Sequence, residues 1–217
     1  MNKFSNEYCI NSQDLCQMNN EESVRNLVFD AVYVFFKRIT DLLFSILAIC
    51  VLSPLFILIP IVTSMESSGP AFIRQRRVGK NGKIFCLYKF RSMKGDVSYD
   101  YSPIRKNDKR ITKVGGFLRK TGIDEIPQFL NVLKGEMSIV GPRPEMEFIV
   151  EKYNALERTR LLVKPGITGL WQIKANRKKP IHENLDFDLN YIEKKSLFLD
   201  LAIMAETAIF MIKSIKK

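Results

Sequence analysis

A mainly helical α+β fold joined to a membrane segment is what this sequence predicts, and three observations predict it. Leu42 to Ser64 carries no charged side chain, with Asp41 and Glu66 bracketing it. Short apolar runs on either side of Asn81-Gly82 have the pattern of one β-hairpin. Most of the remainder shows helical periodicity cut by Gly/Pro turns, ending in an apolar stretch from Leu197 to Ile215. The expected organisation is an N-terminal extension (1–36), a membrane hairpin (37–65) and a compact cytoplasmic domain (66–217) with interfacial amphipathic helices.

The membrane segment comes first. The uncharged stretch is 23 residues long, enough to cross a hydrocarbon core of roughly 30 Å. It starts too far into the chain for a cleavable signal peptide. Ser53-Pro54 lies in its middle, where proline removes a backbone hydrogen bond and clashes with the carbonyl of Cys50. Lys37-Arg38 precedes it, and Arg74, Arg76, Arg77, Lys80 and Lys83 follow, so both flanks favour the cytoplasmic side. A re-entrant helix–break–helix satisfies both facts, with the Ser53 hydroxyl bonding a carbonyl that Pro54 frees. A kinked single span with its N-terminus outside also fits, and the residues alone do not choose between them.

Upstream, residues 1–20 are polar, and Asn20-Glu21-Glu22 suits a helix start. Val24, Leu27, Val28, Ala31 and Phe35 then recur at helical spacing, as in an interfacial helix or one packed on the domain.

Charge is distributed unevenly. Residues 1–66 hold four basic and seven acidic side chains, and residues 67–217 hold thirty and sixteen, within a formal net charge of +11. A basic half after an apolar segment points to anionic head groups, phosphorylated substrates or nucleic acid. The cysteines, Cys9, Cys16, Cys50 and Cys86, show no paired framework and no zinc spacing. His182 is the only histidine, which excludes a multi-histidine metal site and disfavours a histidine-dependent triad.

In the soluble part, Ile84 to Tyr88 reads as the second hairpin strand, followed by Lys89-Phe90-Arg91-Ser92-Met93. Lys89 and Arg91 alternate and so share a face, able to hold a diphosphate or merely to blunt a solvated edge. Gly95 to Lys109 is a polar loop. Arg110 to Lys120 reads as a turn into a short helix, where Gly115-Gly116 is a weak signal for a phosphate.

Asp124-Glu125-Ile126-Pro127 has the signature of a helix start, because proline is tolerated in the first turn. The helix is expected to stop at Gly135. A helix N-terminus favours an ionised carboxylate. That is the form that attacks phosphorus or binds magnesium. An ordinary capping acid followed by a first-turn glutamate gives the same pattern. Arg143, between the prolines of Gly141-Pro142-Arg143-Pro144, presents a guanidinium from a stiff platform. Lys164 to Gln172 is another Gly/Pro loop and holds Trp171, the only tryptophan. Leu185 to Tyr191 carries Asp186 and Asp188.

In this order the motifs resemble the bacterial sugar transferase family, the monotopic polyprenyl-phosphate hexose-1-phosphate transferases. The resemblance runs from Lys37 to about Lys217 and rests on six blocks. They are Lys37-Arg38 through Ser53-Pro54, Gln75 to Gly79, Lys89 to Met93, Asp124 to Gln128, Gly141 to Pro144 and Lys164 to Gln172. Each block is weak alone; the ordered set is specific.

The resemblance implies a re-entrant hairpin broken at Ser53-Pro54, in the bacterial inner membrane, with the catalytic domain on its cytoplasmic face. It implies transfer of a sugar 1-phosphate from a UDP-sugar to undecaprenyl phosphate, with UMP released. Asp124 matches the nucleophile and a metal ligand, Glu125 its dyad partner, and Mg2+ the cofactor. Arg119 and Arg143 match phosphate-binding positions, with Lys89 and Arg91 as further candidates. Inner-membrane phospholipid is an expected partner, nucleic acid is not, and a homo-oligomer is compatible. The chain looks like the small form of the family. The competing reading is a membrane-anchored protein that binds nucleic acid or anionic lipid without catalysis. No helix-turn-helix, KH or RNP-like pattern supports it.

Overall fold

The computed structural model describes residues 12–94, 108–174 and 184–215, with side chains between residues 28 and 213 of these ranges. The readings on residues 1–11, on most of the Gly95–Lys109 loop and on His182 lie outside them.

Helix α1 runs Ser12–Glu66. It begins ahead of Asn20 and stays helical through Ser53-Pro54, where a break was expected. Hydrogen bonding is kept around the proline. The Cys50 carbonyl, which loses its usual donor to Pro54, accepts the Ser53 hydroxyl at 2.8 Å. Within α1, Val28–Glu66 is long and apolar enough to cross a membrane. Asp41, Ser45, Ile59 and Thr63 are buried against the rest of the protein, while Leu43, Leu47, Val51, Ile57, Leu58 and Ile61 stay exposed.

Strands β1 (Phe72–Val78) and β2 (Ile84–Phe90) form the expected antiparallel hairpin, paired from Phe72↔Phe90 to Val78↔Ile84. Its turn falls on Asn81-Gly82, at φ 56° and 75°. Left-handed geometry at both central residues is what a tight hairpin turn requires. Helix α2 (Lys113–Thr121) then packs its Gly115 on the end of β2, so tightly that a Cβ would stand 2.0 Å from Ser92 O. A 3-10 turn, Ile123–Glu125, leads to α3 (Gln128–Lys134), which stops at left-handed Gly135.

Strand β3 (Ser138–Val140) lies parallel to β4 (Gly166–Thr168), with α4 (Glu147–Val150) and α5 (Ala155–Arg158) between them. This second sheet was not read from the sequence. Lys164 to Gln172 is likewise not all loop, because it supplies β4 and the start of α6 (Leu170–Lys174). Helices α7 (Leu185–Lys194) and α8 (Leu197–Ile215) complete the described chain.

Phe85, Leu87, Val132, Met137, Val140, Tyr191 and Ile203 make the main core. A second cluster joins α1 to the domain through Ile59, Phe90, Leu118 and Ile126.

Both flanks of the apolar segment are bonded to this body. At its start, Arg38 donates to the last carbonyls of α3, Val132 O at 2.6 Å and Leu133 O at 2.9 Å. Lys37 pairs with Asp200 at 2.8 Å, and Asp41 accepts Ser138 Oγ and Ile139 N, both at 3.0 Å. At its end, Glu66 accepts Lys113 N at 2.5 Å and Val114 N at 3.0 Å, acting as a cap for α2. One side of α8 packs inward through Ile203, while Phe198, Ile209, Phe210 and Ile212 are exposed.

Candidate active site

Three segments converge on the acid pair. Gly122 at φ 75° ends α2 and reverses the chain, so that Asp124 and Glu125 sit on the 3-10 turn rather than inside a longer helix. Pro127 is the residue just before α3, not part of its first turn. Ile126, buried with Leu118, Phe90 and Ile59, fastens the turn to the core.

Asp124 is 6% exposed. Glu125 accepts Lys89 Nζ at 2.9 Å and Arg143 Nη2 at 3.1 Å. Lys89 reaches it from the end of β2 and Arg143 from the turn after β3. Arg119, in the last turn of α2, donates to Ser92 Oγ at 3.4 Å and lies near enough to attract the Asp124 charge.

The two acids have opposite electrostatics. Burial pushes the Asp124 carboxyl above its ordinary range and Glu125 repels it further, against the pull of Lys89, Arg119 and Arg143. Burial thus works against the ionised form that a helix end was expected to favour. Glu125, despite its burial, is held well below the usual carboxylate range, first by Lys89 and then by Arg143. Arg143 is held more firmly protonated, chiefly by Glu125. The site therefore pairs a doubly bonded glutamate held toward its charged form with a buried aspartate whose proton is less easily lost.

Arg91 is not in this constellation. Strand β2 ends at Phe90, and Arg91 turns away from Lys89 to bind the carbonyls of Thr63, Ser67 and Ser68. A guanidinium at the negative end of α1 satisfies orphan carbonyls there. The shared face inferred from alternation fails because these carbonyls take up the Arg91 guanidinium. The Gly115-Gly116 phosphate signal fails as well. Gly115 N bonds Thr112 Oγ1 at 2.8 Å and Gly116 N bonds Thr112 O at 2.8 Å. Trp171 is partly buried at the start of α6.

Among the described residues, no three His, Cys, Asp or Glu side chains converge as a closed metal cage. Two adjacent carboxylates do fit magnesium, which takes one or two protein carboxylates, keeps waters and is completed by substrate phosphates.

Buried polar pairs whose partners the sequence did not link also stand in the domain. Arg160 pairs with Asp188 at 2.6 Å, both 4% exposed or less. The Tyr191 hydroxyl donates to Asp200 Oδ1 at 2.8 Å, with Val140 O also 3.2 Å away. Such partners lie too far apart in the chain for helical or strand spacing to join them.

A family model described as bacterial sugar transferase matches residues 32–214. The chain is 43% identical over 186 residues to "Galactosyl transferase CpsE" of Streptococcus agalactiae serotype III, covering 79% of this chain and 41% of that protein. It is 40% identical over 187 residues to "Exopolysaccharide production protein ExoY" of Sinorhizobium fredii, covering 79% and 83%. It is 40% identical over 184 residues to "UDP-glucose:undecaprenyl-phosphate glucose-1-phosphate transferase" of Klebsiella pneumoniae, covering 81% and 40%. The match thus spans about two fifths of the first and third of these relatives. With a family match reaching from residue 32 to residue 214, this chain belongs to the bacterial sugar transferases.

Proposed function

We propose that this protein transfers a sugar 1-phosphate from a UDP-sugar to undecaprenyl phosphate at the cytoplasmic face of a bacterial inner membrane, beginning the assembly of a surface polysaccharide or glycoconjugate. The observation that carries the reading is a buried Asp124 beside a Glu125 clamped by Lys89 and Arg143.

In the first step, a carboxylate oxygen of Asp124 attacks the phosphorus that bears the sugar. The P–O bond to the uridylyl phosphate breaks and UMP leaves with its electron pair. In the second, an oxygen of undecaprenyl phosphate attacks the same phosphorus. The bond to Asp124 breaks, the carboxylate is restored, and the sugar is carried on a polyprenyl diphosphate. Splitting the transfer in two lets one phosphate site serve a soluble and a lipid substrate in turn. Lys89, Arg119 and Arg143 offset the charge on the phosphates. Glu125 fixes Lys89 and Arg143 in place for that work. Magnesium, held by Asp124 with Glu125 and the diphosphate, would supply charge neutralisation on the leaving nucleotide.

The membrane reading is a re-entrant or interfacial α1. Arg38 and Glu66, on opposite flanks of the apolar segment, both bond the same domain. A complete span would carry one flank about 30 Å away, across the hydrocarbon core. The names of the relatives differ in their sugar, galactose in one and glucose in another, so the reading commits to a UDP-sugar and no further.

The rival, a non-catalytic binder of nucleic acid or anionic lipid, gives no reason for Lys89 and Arg143 to face Glu125. The test is radiolabelled sugar phosphate trapped on the protein in the absence of lipid acceptor. Wild type is expected to release UMP and keep the label, and Asp124→Asn to do neither. Free sugar phosphate without acceptor would instead mark a phosphohydrolase. Normal UMP release by Asp124→Asn would remove the nucleophile assignment.

A further inference from the structure

Arg160 is a buried arginine outside the acid pair's own contacts, and each arm of its guanidinium has a different partner. Nε donates to Asp188 Oδ2 at 2.6 Å in α7, and Nη1 donates to the Tyr153 hydroxyl. Nη2 donates to the main-chain oxygen of Arg143 at 3.1 Å. Arg143 in turn points its own Nη2 at Glu125 Oε1.

The backbone around Arg143 leaves that carbonyl as the natural control point. Prolines on both sides fix their own φ, and Pro144 also restricts the conformation of Arg143. The turn is fastened before and after it, by Gly166 N on Pro142 O and by Val78 N on Glu145 O, both at 2.9 Å. Between these two fastenings Arg160 holds the Arg143 oxygen, so it adds the side-chain bond nearest to the root of the Arg143 side chain. The cavity behind the turn, lined by Arg143, Glu145, Tyr153 and Arg160 among others, is about 10 Å³. That is room for one water at most. Arg160 is itself only 4% exposed and its three guanidinium nitrogens are all taken, so its route to the reaction runs through Arg143.

We propose that Arg160, braced by Asp188 and Tyr153, is the positioning residue that aims the Arg143 guanidinium at the Asp124–Glu125 pair. This rests on the transferase reading and adds to it a second layer of the phosphate site, joined to α7. A guanidinium misplaced by an ångström at such a site costs on the order of 10²-fold in rate.

Removing Arg160 alone would strand the Asp188 charge in the core and threaten folding. The variant of choice is therefore the paired swap Arg160→Met/Asp188→Leu, which exchanges a buried ion pair for apolar packing and is often neutral for stability. Arg160→Lys is the second variant, keeping a charge against Asp188 without the fork that reaches Arg143. Steady-state UMP release is measured in detergent with undecaprenyl phosphate. The donor is whichever of UDP-glucose, UDP-galactose and UDP-N-acetylgalactosamine supports turnover, and thermal unfolding is recorded in parallel.

Expected is a fall in kcat/KM on the order of 10²-fold, with a raised KM for the UDP-sugar and an unchanged Tm in at least one variant. In an Arg143→Ala background the same changes should add less than about 3-fold, because residues acting as a unit are not additive. Full multiplicative losses in that background, or wild-type kcat/KM in the swap, would overturn the positioning role alone. A wild type silent with every donor would overturn the transferase reading and this inference together.

Discussion

Gly166 and Gly141 meet backbone to backbone: a Cβ on Gly166 would stand 2.1 Å from the Gly141 nitrogen. In return, a Cβ on Gly141 would stand 2.4 Å from Lys164 O, and one on Gly169 2.3 Å from Gly141 O. The two Gly/Pro motifs, separated in sequence, are one clasp in space. It fixes the turn that presents Arg143 to Glu125.

Gly166→Ala should therefore break both stability and catalysis. The methyl group meets rigid backbone rather than a flexible side chain, so the expected cost is about 3 kcal/mol, with UMP release lost in parallel. Gly116→Ala is the control. Its nearest neighbour would be a side-chain methyl at 3.8 Å, and alanine in a helix is favoured over glycine. Thermal unfolding of the two variants side by side gives the answer, and equal melting temperatures would contradict the clasp.

What the sequence made legible follows from the range of each signal. The hairpin at Asn81-Gly82 and the stop at Gly135 are local demands for left-handed backbone, and they stand where composition put them. The Ser53 hydroxyl bonds the Cys50 carbonyl, the acceptor that Pro54 leaves without its backbone donor, and helical structure runs across the pair. Strand β3 is three buried residues, too short for any periodicity, and its parallel partner lies beyond two short helices. Of the candidate site, Asp124, Glu125, Lys89 and Arg143 were named through the family resemblance rather than by spacing, and the two cations do meet Glu125, whereas Arg91 is drawn to the carbonyls at the end of α1. The Tyr191–Asp200–Lys37 network joins three helices through long-range contacts that no spacing rule reaches.

The destination of Arg91 predicts a separation of stability from substrate binding. It is 2% exposed and bonds three carbonyls where α1 ends. Arg91→Met is expected to cost about 3 kcal/mol, read as a lower urea midpoint. The folded fraction should retain the wild-type KM for the UDP-sugar. A raised KM at unchanged stability would return Arg91 to the phosphate site.

Tethering of both flanks of α1 makes a topological prediction. Single cysteines are introduced as Asp30→Cys and Ser68→Cys after Cys9, Cys16, Cys50 and Cys86 are changed to serine. Both positions are exposed and bracket the apolar stretch. An impermeant maleimide should label both in inside-out membrane vesicles and neither in intact spheroplasts. Labelling of Asp30→Cys alone from outside would establish a complete span.

The raised pKa of Asp124 has consequences for rate and for stability, in opposite senses. Attack on phosphorus needs the carboxylate, so kcat/KM should fall on the acid side through a pKa above the ordinary 3.8. Lys89 is the strongest opponent of the burial that raises it. Lys89→Met should therefore move the acid limb to higher pH, while the residual activity of Glu125→Gln, freed of a neighbouring charge, should titrate lower. For stability, a carboxyl bound more tightly to its proton in the folded state favours folding below its unfolded pKa. That contribution is lost as pH rises through the raised value. At neutral pH the wild type thus carries a buried charge that Asp124→Asn removes. The variant should be inactive yet melt higher than wild type at neutral pH, with the gain shrinking as pH falls toward the ordinary carboxylate range. An Asp124→Asn protein that melts lower at neutral pH would mean that Lys89, Arg119 and Arg143 outweigh burial, and that the aspartate is held as a structural anion.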